Sequence, residues 1–160
     1  MSVPGLTIDD SARFLGHVIW VERRLFEVLG GWVSDPADPA VKLAFARHSR
    51  HHAWYAELIE PLRPDTRDHD LDARAPLDAR WRSRVNKMLA ATATPQRLER
   101  LTDTLVGTIA LYEQYLGATR AVRDAPIRRV LGLVVESERA ELGEFEALAR
   151  IDAGSGATGR

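Results

Sequence analysis

His48 and His52, one helical turn apart with His51 between them, and Glu138 and Glu141, three apart, have the types and spacing to do chemistry in this chain of 160 residues. Imidazole nitrogens and carboxylate oxygens are ligands of first-row ions such as iron and manganese. Spacings of three and four put both members of a pair on one face of a helix, so each pair can converge on one point. The pairs also break apolar stripes. Val41, Phe45, His48, His52, Tyr55 and Ile59 form one stripe; Ile127, Leu131, Val134, Glu138, Glu141, Phe145 and Leu148 form another. A third, Leu15, Val18, Glu22, Leu25, Leu29 and Trp32, contains a single charge. A buried carboxylate costs several kcal/mol unless it meets a proton, a cation or hydrogen-bond donors. Glu22, His48, His52, Glu138 and Glu141 are therefore expected at one level inside the molecule, with a metal ion or protonated histidines supplying the positive charge.

The fourth stripe, Leu98, Leu101, Leu105, Ile109, Tyr112 and Leu116, is apolar but for a phenol. Glu113 lies on its flank and becomes a further carboxylate if that helix is rotated; otherwise Tyr112 or Thr108 faces the site. His51 sits on the row beside His48 and is an alternative to His52. Arg23, Arg47 and Arg139 adjoin the stripes and offer themselves as partners for the acids. His17 is expected to be partly exposed, and His69, in an acidic stretch, solvated.

Other chemistries are excluded. The chain has no cysteine, which removes disulfides, thiolates and sulfur-based zinc sites. Its 22 basic and 23 acidic residues give a net charge of −1 and no extended basic face, so nucleic acid is not an expected partner. There is no Gly-rich phosphate loop and no Gly-x-Ser-x-Gly elbow. No apolar run is long enough to cross a membrane, and residues 1–10 lack the basic and apolar regions of a signal peptide. A cytoplasmic location is the expectation.

The elements that must position these residues follow from periodicity and punctuation. Apolar recurrence at three and four predicts long helices over about 8–33, 39–60, 95–122 and 126–151. Asp38-Pro39 and Thr94-Pro95 read as a cap followed by proline at the first helical position. Pro61 and Pro64 end the second helix. Residues 61–76 read as a loop, and 78–91 as a short extra helix between helices two and three. Residues 1–151 form one domain, with 152–160 as a disordered tail. Short links make helices one and two, and three and four, antiparallel neighbours. The 34-residue stretch between the two pairs predicts an all-α, up-down-down-up four-helix bundle with a long crossover.

With these helices and glutamates in place, the chain resembles the ferritin-like superfamily, and less closely the DinB-like metal-binding bundles, which place a His-x-x-x-His pair late in the chain. The resemblance implies a four-helix bundle with a carboxylate-rich dimetal centre. The ferritin-like pattern, a Glu on helices one and three and Glu-x-x-His on two and four, carries over to Glu22 on the first helix and Glu113 on the third. His48-x-x-His51 stands at the second motif and Glu138-x-x-Glu141 at the fourth, so neither is intact. The implied activity is that of an iron- or manganese-dependent oxidoreductase, with Tyr55 or Tyr112 as a nearby proton or electron donor. The alternative is a metal-free bundle that binds a small molecule or protein partner through a polar interior pocket. Exposed Trp20, Val28 or Trp54 would provide a homodimer face.

Overall fold

The structure is a computed structural model that describes residues 6–65 and 74–157. Among the described residues it is all-helical: α1 (Ile8–Trp32), α2 (Pro39–Ile59), a 3₁₀ turn (Glu60–Leu62), α3 (Ala79–Leu89), α4 (Thr94–Ala118) and α5 (Ala125–Ala157). His69, expected to be solvated in the acidic loop, falls outside the described residues.

Local chemistry sets most boundaries. A capping box opens α1: the Thr7 hydroxyl accepts from Asp10 N–H at 3.0 Å, and the Asp10 carboxylate accepts from Thr7 N–H at 3.0 Å. Asp38 caps α2 by accepting from Ala40 N–H at 2.8 Å, with Pro39 at the first position, and Asp78 caps α3 through Arg80 N–H at 2.8 Å. Two ends differ from the sequence expectation. α4 stops at Ala118 because Thr119 turns extended, with φ −79° and ψ 154°. Its last carbonyls are satisfied instead by side chains, since Thr119 Oγ1 donates to the Leu116 carbonyl at 2.6 Å and Arg128 Nη1 to the same oxygen at 2.8 Å. α5 continues through residues 152–157, which were expected to be a tail. No described glycine adopts the left-handed conformation that would terminate it.

The core forms two apolar clusters. One gathers Leu25, Leu29 and Trp32 of α1, Val41 and Phe45 of α2, Trp81, Val85 and Met88 of α3, Leu98, Leu101 and Leu105 of α4, and Phe145 of α5. The other gathers Phe14, Leu15, Val18 and Ile19 of α1, Tyr55 and Ile59 of α2, Ile109, Tyr112 and Tyr115 of α4, and Leu131, Val134 and Val135 of α5. On each long helix buried polar groups stand at or beside the junction of its two cluster segments: Glu22, His48 and His52, Thr108, and Glu138 and Glu141. The close seam of α1 on α2 depends on Gly30, where a Cβ would come within 3.2 Å of Ser49 Oγ; that hydroxyl donates to the Phe26 carbonyl at 2.9 Å.

Two expectations about exposure are corrected by the crossover. His17 is fully buried: its Nδ1 accepts from Leu77 N–H at 3.2 Å, and its ring lies edge-on to Trp81 at 4.8 Å. Burial pulls its pKa down to about 4 against the pull of Asp78, so the ring is neutral near pH 7 and serves to seat the crossover. Val28, expected on an exposed face, is buried in the first cluster, and Trp20 is half-buried. Trp54 remains 47% exposed.

Candidate metal centre

Glu22, Glu138 and Glu141 are at most 1% exposed, as is His52. Each reaches the interior because it occupies a core-facing position of a helix whose flanking turns are apolar, so the helix cannot turn the acid outward without exposing those turns. His52 lies at the centre. Its Nδ1 is 2.6 Å from a Glu22 oxygen and its Nε2 is 2.9 Å from Glu141 Oε1. Both ring nitrogens face carboxylates, so an imidazolium donating in both directions satisfies the pair. Burial disfavours that charge, but Glu141 and Glu22 outweigh it and lift the His52 pKa to about 10. Burial likewise pushes Glu141 upward, while His52 and His48 hold it down at about 2.

The network extends in both directions. Tyr112 donates its phenol proton to Glu22 at 2.7 Å from α4. Burial, followed by the Glu22 and Glu138 charges, raises its pKa well above the usual phenol value. Toward the surface, His48 Nδ1 is 2.9 Å from Glu141 Oε2, off the line of a hydrogen bond, and His48 Nε2 is 2.7 Å from Glu144. Arg47 backs Glu144 from outside. Glu144 was not among the sequence candidates. Its signal was available in the three-residue ladder Glu138, Glu141, Glu144, in which the third member leaves the apolar stripe but stays within reach of His48.

Glu138 is the exception. Both of its oxygens are buried, and among the described residues neither finds a hydrogen-bond donor. Burial first, then the neighbouring Glu22 carboxylate, drives its pKa far above the carboxylate range. A group in this position needs a proton or a cation.

The buried acids and imidazoles compose two ligand trios whose donor atoms lie within 4.8 Å of one another, Glu22–His52–Glu138 and His48–His51–Glu141. The first is wholly buried. The second opens through half-buried His51 to a recess of ≈ 260 Å³ rimmed by Trp54, Tyr55 and Glu144. His51 and His52 are thus both placed, one in each trio. Glu113 is not brought to the site: it is exposed and paired with Arg139, because Tyr112 takes the inward position on α4. Arg23 and Arg47 likewise bind surface-side acids, Glu60 and Glu144, leaving the buried acids to imidazole.

No protein-family model, no curated protein and no solved structure matches the chain.

Proposed function

We propose that this protein is a metal-binding four-helix bundle of ferritin-like kind that holds iron or manganese in its interior. The observation that carries the reading is Glu138, a fully buried carboxylate with no donor on either oxygen, set beside Glu22 and His52. Glu138 carries a proton in the metal-free cluster, and a divalent ion that displaced this proton would neutralise the carboxylate left beside Glu22; an all-nitrogen-and-oxygen donor set fits first-row ions. The up-down-down-up arrangement belongs to the same reading. It is supported by the order in which the helices pass between the two apolar clusters: α1 and α5 leave the cluster containing Leu15 and Leu131, and α2 and α4 run toward it.

Glu22, His52 and Glu138 would hold the inner ion; His48, His51 and Glu141 would hold the outer one. Bound there, iron or manganese would supply Lewis acidity and one-electron redox capacity, the basis for an oxidoreductase activity. The protein's own contribution is definite. Glu141 links the two trios through His52 and His48, Tyr112 holds a proton on Glu22, and the two apolar clusters keep bulk water from the inner trio. No described helix is long and apolar enough to cross a bilayer.

A second reading is favoured by one observation. His52, as an imidazolium, satisfies Glu22 and Glu141 without any metal, which leaves a polar core beside a recess that would take a small uncharged molecule. Elemental analysis of the protein as purified without chelator, and after iron or manganese loading, separates the two readings. Retained metal that is lost in Glu138→Ala supports the first; no metal in any sample supports the second.

A further inference from the structure

The groove between α3 and α4 concentrates positive charge in a chain whose net charge is −1. Arg80, Arg84, Lys87 and Arg100 line it against the single acid Asp103, around a volume of ≈ 500 Å³. This charge is neutralised in part. Arg100 reaches Asp103 only at 4.0 Å, Arg80 is engaged by Asp78 at the helix cap, and Lys87 has no ion partner among the described residues. The cations left without a close acid, Arg84 and Lys87, with Arg100 beside them, give the groove a positive potential that attracts an anion.

Arg84 shows that the groove is built. Its guanidinium lies over the Trp81 ring, 5.4 Å from the centroid, and its Nη1 donates to the Asp103 carbonyl at 2.9 Å. It crosses α4 at Gly107, where a Cβ would stand 3.0 Å from both Cζ and Nη1. A methyl group there would push the guanidinium aside by a few tenths of an ångström. A stacked, backbone-tethered guanidinium retains donors in a fixed fork, the geometry that suits phosphate oxygens.

We propose that the α3–α4 groove is a binding site for a small molecule carrying a phosphoanhydride, such as a di- or triphosphate. Arg84 is its fixed anchor, and Lys87 and Arg100 are mobile contacts. Several cations around one short groove match a compact polyanion. A nucleic acid backbone would need an extended basic track, which the evenly mixed charges elsewhere do not provide. The site is independent of the His/Glu cluster and of the reading given to it.

Isothermal titration calorimetry with inorganic pyrophosphate and tripolyphosphate, at about 0.15 M ionic strength, tests the site. Saturable binding to one site per chain is expected, weakened at least about tenfold in Lys87→Ala/Arg100→Ala, which removes two of the four cations lining the groove. Gly107→Ala leaves every charge in place but displaces the Arg84 head group, and a severalfold loss is expected with thermal stability retained. The proposal is overturned by an absence of saturable binding, by equal affinity in the double variant, or by an unchanged affinity in Gly107→Ala. Equal affinity for sulfate, or tighter binding of an oligonucleotide or of anionic lipid vesicles, would overturn it as well.

Discussion

The two ligand trios share Glu141's neighbourhood and nearly the same chemistry, yet they stand in opposite relations to water. Glu22, His52 and Glu138 are sealed between apolar clusters, whereas His48, His51 and Glu141 reach solvent through the recess under Trp54. In the sealed trio desolvation dominates. It leaves Glu138 with a pKa far above the carboxylate range, while the Glu141 and Glu22 charges keep His52 protonated in spite of its burial. In the open trio the same residue types are moderated by Glu144, Arg47 and water. Burial therefore assigns the roles: the inner trio is suited to retain an ion, the outer to exchange one.

The largest stability effect is expected where the inner trio loses its cation. His52→Ala removes the cation that Glu22 and Glu141 share and leaves Glu22 with the Tyr112 hydroxyl alone, and a loss of about 3–5 kcal/mol is expected in chemical denaturation of the metal-free protein. Glu138→Met acts in the opposite sense. Replacing an unpartnered buried acid with an apolar side chain of similar length is expected to raise metal-free stability by about 1–4 kcal/mol while abolishing inner-site metal. Lower stability in this variant would mean that Glu138 is satisfied in a way the geometry does not show.

The pH dependence follows from His52. Because its folded pKa, about 10, lies above the ordinary 6.5, the folded state binds the extra proton. That stabilisation is fully present below 6.5 and is lost as pH rises toward 10. Denaturation midpoints of metal-free protein are expected to fall across this window, and to fall less in His52→Gln. The outer trio should respond weakly: His51→Ala is expected to change stability by about 0.5 kcal/mol or less while lowering outer-site occupancy in metal titrations. Smallest of all, Glu113→Ala, on the surface with Arg139, is expected to change neither metal content nor midpoint.

Much of this was readable before any coordinates. The interruptions at Glu22, His48, His52, Glu138 and Glu141 were visible because each breaks a stripe whose remaining members must be buried, and all five are buried. The choice between Tyr112 and Glu113 was not readable, because adjacent residues differ by about 100° around a helix and only packing against α1 and α5 settles the rotation. His17 was misjudged for another reason: the segment that covers it, around Leu77, comes from a crossover with no periodicity to show where it lies. Glu144 was missed because a residue on the flank of a stripe looks like solvent-facing charge until His48 is seen to turn toward it. The ends of α4 and α5 depended on carbonyl partners and on glycine backbone angles, neither of which leaves a pattern in the residue order.

Equilibrium dialysis against manganese, with wild type, Glu138→Gln and His51→Gln compared at one pH, tests the metal-centre reading most directly. The expected result is two ions per chain in wild type, with Glu138→Gln losing the slowly exchanging ion and His51→Gln losing the rapidly exchanging one. Metal-free wild type, or occupancy identical in all three proteins, would contradict it and leave the cluster as a hydrogen-bonded polar core.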